Sequence, residues 1–163
     1  MLFLHFLEDP KLPFNEKVQH DDFATDSTGY TRGHMGTGEH RNRNQQDYLA
    51  TFLTSNIIPQ PENINKRWGG LETFLTNLVK DENKEIYIVA GGDGQAVDKY
   101  GVPITPLSNK IIVTKNVWKV VLVLDKPGQG ISDVTNDTLA FALALYLPNV
   151  NKNQAQIKPK LAL

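Results

Sequence analysis

One stretch of this chain has the spacing of an amphipathic helix, and the apolar stretches after it have the character of strands. Between residues 65 and 80, apolar side chains recur three and four positions apart, namely Trp68, Leu71, Phe74, Leu75, Leu78 and Val79. Residues 85–91, "EIYIVAG", are rich in β-branched side chains and end in glycines, which predicts a strand. One principal helix beside several strands predicts an α+β fold, in which a mostly antiparallel sheet carries the helix on one face.

Further strands are expected in the second half of the chain. Residues 110–128 predict one strand, a turn near Lys115 and Asn116, and a second, buried strand. Residues 138–148 are apolar, and their Phe, Tyr and terminal Pro favour a strand over a helix. The segment 90–95, "AGGDGQ", lacks the Lys and Ser or Thr that complete a phosphate-binding loop, so we expect a turn there.

The first half of the chain predicts fewer regular elements. Residues 8–33 predict a loop-rich region, and residues 47–53 a short helix or strand. Residues 56–65 contain two prolines and predict a turn that leads into the helix. The apolar residues 1–7 have no basic segment before them and fail as a secretory signal, so we expect a packed strand or the remainder of a truncated start.

Length and composition bound the class of protein. The 163 residues predict a single domain, residues 1–163, with a sizeable core. The net charge of −1 is less positive than that of most nucleic-acid-binding proteins. Basic side chains nevertheless cluster in "HRNRNQ" (40–45) and "NKRW" (65–68). The absence of cysteine excludes disulfides and thiolate metal sites. No apolar run reaches the roughly 18 residues of a membrane span, so no membrane partner is expected.

The segment "GYTRGHM", residues 29–35, concentrates groups suited to phosphate chemistry. Arg32 offers a planar cationic fork that matches phosphate or carboxylate oxygens. His34 can take a proton near neutral pH, and the two glycines let the backbone bend or approach a ligand closely. The pattern indicates a phosphate-binding loop with a base beside it, although a His in such a loop is more often structural. The other histidines are expected to be structural: His5, His20 and His40.

A polar stripe runs beside the apolar face of the predicted helix. At about 100° per residue, Asn65 and Glu72 differ by roughly 20° around the helix axis, and Thr76 lies on the same line. The stripe presents an amide oxygen and a carboxylate, which are oxygen ligands that suit a largely hydrated Mg²⁺. Such a stripe is more often solvent-facing than metal-binding, and both interpretations stay open at this point.

Four segments, in chain order, resemble one family. They are "GYTRGHM", "ATFLTSNIIPQPENINKRWGGLETFL", "EIYIVAGG" and "VPITPLSNKIIVTKNVWKVVLVLDKPG". Spread over residues 8–150, they resemble the DNA/RNA non-specific endonucleases of the ββα-metal superfamily, which includes Serratia-type and cyanobacterial secreted nucleases and mitochondrial endonuclease G. The resemblance implies an α+β domain with a ββα-metal motif that hydrolyses DNA and RNA phosphodiesters with Mg²⁺, for which Mn²⁺ can substitute.

The resemblance also implies roles for individual residues. In this family a His is the general base that activates water, an Asn at the start of the helix binds the metal, and a Glu on the helix holds metal-bound water. Carried over by position, His34 is the base, Asn65 the metal ligand and Glu72 the helix carboxylate. Arg32 then contacts the phosphate or the transition state. Substrate contacts are also expected from the basic side chains Arg41, Lys66 and Arg67.

The position of the metal-binding Asn depends on how the motif is counted. Counting forward from the Pro-Gln turn leads to Asn65, whereas counting back from Trp68 leads to Ile64, which cannot bind a metal. Asn63 points the opposite way on a helix. We choose Asn65 because it shares the polar stripe with Glu72.

Other positions depart from the family pattern. Its motif usually begins with Asp, where this chain has Thr31, whose hydroxyl can replace a hydrogen bond but not a charge. The Arg often found four residues after the Glu is Thr76 here, and Lys66 or Arg67 are candidates to replace it. The family Arg on an upstream strand has no visible counterpart. The chain is therefore expected to be truncated at both ends.

Three functions remain as hypotheses. The first is a Mg²⁺-dependent endonuclease whose partners are the backbones of DNA and RNA. The second is an impaired relative that binds nucleic acid or a protein without cutting, which Thr31 and the missing arginines favour. The third is an unrelated α+β binding protein, in which His34→Ala would change nothing. The sequence leaves open whether the chain forms a homodimer, meets an inhibitor protein, or is exported.

Overall fold

Two antiparallel sheets and one long helix make up the fold. The computed structural model describes residues 6–23, 29–98, 100–104, 110–135 and 140–150. In chain order the strands and α-helices are β1 (Tyr30–His34), α1 (Gln45–Ala50), β2 (Ile57–Pro61), α2 (Glu62–Lys80), β3 (Glu85–Gln95), β4 (Thr114–Leu124) and β5 (Ala140–Pro148). The predicted α+β class is confirmed, with antiparallel sheets and one principal helix in the described part of the chain.

The smaller sheet consists of β1 and β2, called the hairpin below, with α1 in the connection between them, and α2 follows β2 directly. The strands pair antiparallel, with Thr31 opposite Gln60 and His34 opposite Ile57. Because successive side chains of a strand point to opposite faces, Arg32 and His34 share one face of β1 and Thr31 lies on the other. This alternation decides which residues of the "GYTRGHM" segment can meet α2.

The larger sheet has the strand order β3–β4–β5 and carries α2 on one face. Two clusters of buried side chains join the helix to the sheet. One consists of Ile64, Trp68, Val117 and Leu147, and the other of Leu75, Leu78, Val121 and Val123. Burial of a side chain of this size contributes roughly 1.5–3 kcal/mol, so these clusters fix the rotation of α2 about its axis.

The ends of α2 follow from local chemistry. Pro61 stands at the N-cap with a φ of −59°, so the helix begins at Glu62, three residues before its predicted start. Glu62 in the first turn and Lys80 in the last turn complement the helix dipole. Beyond the helix, Asn83 has a φ of 53°, a left-handed conformation that Asn tolerates and that turns the chain into β3.

Two segments that were expected to be irregular are strands. Residues 30–34, all but the last of which belong to the expected loop, form β1, and residues 57–61, where a turn was expected, form β2. The prediction was wrong because Pro59 and Pro61 hide the pairing signal, although a two-stranded hairpin has edge positions at which proline is tolerated. For residues 47–53, the structure favours the helix alternative, since α1 spans Gln45–Ala50.

Both turns expected in the second half are wrong. β3 continues through residues 90–95 to Gln95, because a glycine there makes room for a neighbour: a Cβ on Gly91 would lie 2.7 Å from the Trp118 ring. β4 continues through Asn116, which pairs with both β3 and β5. The residues before it, 110–113, are not a strand.

The remaining predictions concern strands and the chain start. The strands at 85–91 and 138–148 are confirmed, although residues 138 and 139 lie outside the described part. Of the first seven residues, Phe6 and Leu7 are described, and Leu7 forms a single parallel bridge with Leu53. In the described ranges, no helix combines the length and the apolar character needed to cross a membrane.

Candidate functional site

His34 ends β1 on the hairpin face that packs against aromatic side chains. Its ring centroid lies 5.4 Å from that of Phe6 and 5.4 Å from that of Phe52. Burial in these surroundings lowers the pKa of His34 below its ordinary value of 6.5, because the charged imidazolium loses water. At neutral pH the ring is therefore uncharged and able to accept a proton.

Arg32 lies on the same face of β1 and binds backbone. Its Nη2 donates to the carbonyl oxygens of His20 at 3.3 Å and Phe23 at 3.2 Å. The Nε is buried and has no hydrogen-bond partner among the described residues. These contacts join the N-terminal segment to the hairpin, and a role for Arg32 at a phosphate stays a prediction.

Asn56 fixes the chain just after His34, and sequence reasoning missed it. Its Oδ1 accepts from the Gly36 N–H at 2.9 Å, and its Nδ2 donates to the carbonyls of Gly36 and Thr51 at 2.8 Å each. Met35 N–H donates to the Asn56 carbonyl at 2.9 Å. Asn residues are common in the turns before strands, so nothing in the sequence indicated that Asn56 would hold this segment in place.

The polar stripe of α2 faces the protein, so the solvent-facing interpretation is wrong. Asn65 Nδ2 donates to Thr31 Oγ1 on β1 at 3.3 Å, and Thr31 Oγ1 in turn donates to the Gln60 carbonyl at 2.9 Å. About two and three turns further along the stripe, Glu72 and Thr76 are largely buried, with the Thr76 residue 7% exposed. The stripe therefore connects α2 to three neighbouring elements.

Lys119 of β4 is a buried cation that sequence reasoning also missed. Its Nζ lies 2.9 Å from Glu72 Oε1 and 4.2 Å from the ring centroid of Trp68. The Lys119 side chain is 1% exposed and that of Glu72 14%. Burial lowers the pKa of Lys119, and the Glu72 carboxylate opposes that shift. The alternation of side chains along β4 could have indicated this residue. Lys119 shares the inward face of the strand with Val117 and Val121, and a lysine on such a face is rarely unpaired.

The third contact of the stripe joins Thr76 to His40 in the 3₁₀ helix Gly38–Arg41. Thr76 Oγ1 donates to the Glu72 carbonyl at 2.9 Å, so it can only accept from His40 Nε2, 3.0 Å away. Thr76 thus occupies the position of the expected family Arg without supplying a cation. Beside this contact lies a cleft of about 600 Å³, one wall of which is apolar, with Leu75, Val79, Ile86, Ile88 and Ala90.

The expected substrate contacts lie in two places. Arg41 lines the cleft beside His40. Lys66 and Arg67 are exposed on the first turns of α2, where Lys66 Nζ pairs with Glu62 Oε1 at 2.7 Å. The structure therefore does not gather these three cations around one point.

The donors of α2 fit a hydrated magnesium ion better than a metal bound by many side chains. Among the described residues, no group of three or more His, Asp or Glu side chains could hold a metal. The hydrogen bonds described above use Asn65 Nδ2 and Glu72 Oε1, which leaves Asn65 Oδ1 and Glu72 Oε2 as oxygen donors. Mg²⁺ takes few protein oxygens and keeps several waters. Ile64 is 4% exposed in the core, which favours Asn65 for this role.

The predicted site residues form two groups. Arg32 and His34 lie on one face of β1, whereas Asn65 meets Thr31 on the other. Thr31 precedes His34 by three residues, which is about 10 Å of strand. No hydrogen bond among the described residues joins His34 to the α2 stripe, so the described contacts do not bring the two groups together.

Comparisons with known sequences agree on one family. A profile of the family described as DNA/RNA non-specific endonuclease matches residues 5–158. A protein of Nostoc sp. named "Nuclease" is 41% identical over 123 residues, covering 75% of this chain and 41% of the relative. Human "Endonuclease G, mitochondrial" is 25% identical over 133 residues, covering 76% of this chain and 43% of the relative. The chain thus spans about two fifths of the length of these curated relatives.

A solved structure has a similar fold. A chain in the crystal structure of the EndoG/EndoGI complex superposes with a TM-score of 0.63 and 22% sequence identity, covering 93% of this chain and 60% of that one. At this identity the likeness concerns the fold alone.

Proposed function

Since the chain belongs to the DNA/RNA non-specific endonuclease family, we propose that it is a metal-dependent endonuclease that hydrolyses phosphodiester bonds of DNA and RNA. The products would carry 5′-phosphate ends. Membership of the family and the names of the relatives support nuclease activity in general. The His base, the Mg²⁺ site and the residues assigned to them are part of this proposal.

One observation carries the proposal: the polar stripe of α2 is turned inward and each of its members has a partner. Buried polar side chains cost free energy unless they are hydrogen-bonded. The Glu72 carboxylate, paired with Lys119, and the Asn65 amide, bonded to Thr31, therefore do not belong to a solvent-facing side of the helix. They are oxygen donors held in fixed orientations, as a binding site for a hydrated cation requires.

His34 is the proposed general base. Its environment keeps the imidazole neutral at pH 7, so it can remove a proton from the attacking water. General-base catalysis of this kind contributes roughly 10²- to 10⁴-fold in rate. In this proposal the scissile phosphate lies at the end of β1, beside His34. Catalytic distances in unliganded enzymes are often long and tighten when substrate binds.

Asn65 and Glu72 are the proposed residues for Mg²⁺. Asn65 would bind it through Oδ1, and Glu72 would hold its waters through Oε2. When bound, the ion would supply charge that stabilises the leaving 3′ oxygen. Lys119 keeps the Glu72 carboxylate in place, and Asn56 keeps the backbone after His34 in place.

The absence of sugar preference follows from what such a site contacts. Arg41, Lys66 and Arg67 are proposed to bind backbone phosphates, which DNA and RNA share and which carry no sequence information. Binding that depends on phosphate contacts should weaken as salt concentration rises. A protein inhibitor is a further proposed partner, because the similar solved structure is a complex described in terms of EndoG inhibition.

One observation favours a second candidate, a homologue that binds nucleic acid or a protein partner without cutting. The Arg32 guanidinium binds two backbone carbonyls, and the family position for another Arg is the buried Thr76. Arg32 is thus engaged by backbone and Thr76 supplies no cation, so less positive charge is available to stabilise the transition state.

A cleavage assay with defined substrates tests the proposal and separates the candidates. Single- and double-stranded DNA and RNA oligonucleotides of one sequence, labelled at the 3′ end, are incubated with the protein and either Mg²⁺ or EDTA. The proposal predicts Mg²⁺-dependent cleavage of both DNA and RNA, with 3′-labelled products that a 5′-phosphate-dependent exonuclease degrades. Binding of the same oligonucleotides without cleavage in Mg²⁺ would establish the second candidate instead.

A further inference from the structure

We infer that Thr31 is a positioning residue that turns the amide oxygen of Asn65 toward the cation site. The inference rests on the proposed function, since it concerns the residue assigned to Mg²⁺. It begins with the hydrogen bonds around a single hydroxyl group. Thr31 Oγ1 lies 2.9 Å from the Gln60 carbonyl oxygen and 3.3 Å from Asn65 Nδ2.

The direction of each hydrogen bond is fixed by proton counting. A threonine hydroxyl has one proton, and a carbonyl oxygen can only accept. The Thr31 proton is therefore given to Gln60, which lies opposite Thr31 in the hairpin and whose residue is fully buried. Toward Asn65, Thr31 Oγ1 can then act only as an acceptor.

The orientation of Asn65 follows from this. The two ends of an amide side chain differ only in hydrogen bonding, so the surrounding donors and acceptors decide which end faces which neighbour. An acceptor at Thr31 requires the NH₂ group of Asn65, and a flipped amide would place two acceptors against each other. Asn65 Oδ1 therefore points away from β1. Only that oxygen can bind a cation, because an amide NH₂ group has no lone pair to offer it.

This chain thus replaces the usual Asp of the motif with a group that performs one of its tasks. Both an Asp carboxylate and the Thr31 hydroxyl can accept from Asn65 Nδ2. Thr31 adds a hydrogen bond to Gln60 that a carboxylate cannot donate, but it brings no negative charge. We therefore expect an oriented site with a weaker attraction for cations than a site that contains the Asp.

Mn²⁺ binding to the protein without nucleic acid tests the inference, because it needs no catalysis. Free Mn²⁺ is followed by electron paramagnetic resonance during titration of the wild type and of Thr31→Val, which keeps the shape and removes the hydroxyl. Groups that orient metal ligands typically change metal affinity 10- to 100-fold, so we expect the Kd of Thr31→Val to rise about tenfold. Thr31→Ser keeps both hydrogen bonds and should stay within about twofold of the wild type.

Thr73→Val is the matched control. Thr73 is also on the α2 side of the site, but it is exposed and its hydroxyl donates to the Gly69 carbonyl of its own helix at 3.1 Å. The same chemical change there should leave Mn²⁺ binding unchanged. A loss equal to that of Thr31→Val would mean that the effect is general and would overturn the inference.

Asn65→Ala separates the inference from the proposed site. If Asn65→Ala loses Mn²⁺ binding while Thr31→Val binds as tightly as the wild type, the positioning role is wrong and the site stands. If Asn65→Ala binds Mn²⁺ like the wild type, the site assigned to Asn65 is wrong and the role of Thr31 with it. Should Thr31→Val fail to fold, Thr31→Asp replaces it: this variant keeps the acceptor and must bind Mn²⁺ at least as tightly as the wild type.

Discussion

The two halves of the candidate site are built by different forces. The base half, Arg32 and His34, lies on a face of β1 where aromatic rings and backbone carbonyls surround it. The metal half, Asn65 and Glu72, lies on α2, where each side chain is held by a polar partner from a strand. Apolar packing adjusts the proton affinity of the base, whereas individual hydrogen bonds set the direction of the metal donors.

This difference teaches where each half is vulnerable. Packing around His34 is distributed over several rings, so a single change there should shift its pKa while the fold persists. The Glu72–Lys119 pair depends on one contact between two largely buried groups of opposite charge. Loss of either partner leaves an uncompensated charge in the core, so changes there should affect stability first.

The largest expected effect comes from breaking the buried ion pair. Lys119→Ala should lower the free energy of unfolding by about 3–5 kcal/mol, because the Glu72 carboxylate stays buried without its partner. Equilibrium unfolding in urea measures the change. Lys66→Ala is the control, since its pair with Glu62 is exposed on both sides and should contribute far less to the unfolding free energy. Equal losses in the two variants would contradict the importance of the buried pair.

The next effect tests how tightly the side chains of the hairpin are packed. A Cβ on Gly33 would overlap the side-chain amide of Gln60, a residue with no exposed surface. Gly33→Ala should therefore cost about 1–3 kcal/mol in unfolding free energy. Gly69→Ala meets nothing within 4 Å and should stabilise α2 by up to about 1 kcal/mol. Thermal unfolding should show a lower melting temperature for Gly33→Ala and a higher one for Gly69→Ala. An unchanged stability of Gly33→Ala would show that the hairpin can rearrange to make room for the added methyl group.

A smaller effect concerns the pH dependence of cleavage. Burial holds the pKa of His34 below 6.5, so the base stays active to a lower pH than a solvated histidine would. Phe52→Ala should admit water and raise the pKa of His34 toward 6.5, which moves the acid limb of the rate profile to higher pH. Phe74→Ala, at a half-exposed position on α2, is the control. An unchanged limb in Phe52→Ala would mean that aromatic burial does not set this pKa.

The smallest effect is the contribution of His34 to stability against pH. The folded state binds the His34 proton less readily than the unfolded state, so its contribution is fully present above pH 6.5 and is lost as the pH falls through the lower folded pKa. The wild type should therefore lose more unfolding free energy between pH 7 and 5 than His34→Gln. Parallel curves for the two proteins would contradict the direction of the shift.

The sequence predicted best those elements whose signal is local. The helix and the strands at 85–91 and 138–148 were found because their apolar spacing repeats within a few residues. β1 and β2 were missed, since the glycine of β1 and the prolines of β2 are typical of turns and the pairing joins residues far apart in the chain. The glycines at 90–95 were also misinterpreted, because they make room for side chains of the neighbouring strand β4, such as the Trp118 ring against Gly91.

The candidate site was predictable only in part for the same reason. Helix geometry placed Asn65, Glu72 and Thr76 on one line, but it could not say what that line faces. The partners that answer this are Lys119, 47 residues from Glu72, and His40, 36 residues from Thr76. Such pairs depend on how β4 and the 3₁₀ helix pack on α2, which no short spacing in the sequence encodes.

Nicking of supercoiled plasmid by the wild type and His34→Ala, each with Mg²⁺ and with EDTA, tests the base-and-metal mechanism most directly. We predict that the wild type nicks only with Mg²⁺ and that folded His34→Ala is slower by about 10²- to 10⁴-fold. A folded wild type that does not nick, or a His34→Ala variant that nicks at the wild-type rate, would contradict the mechanism.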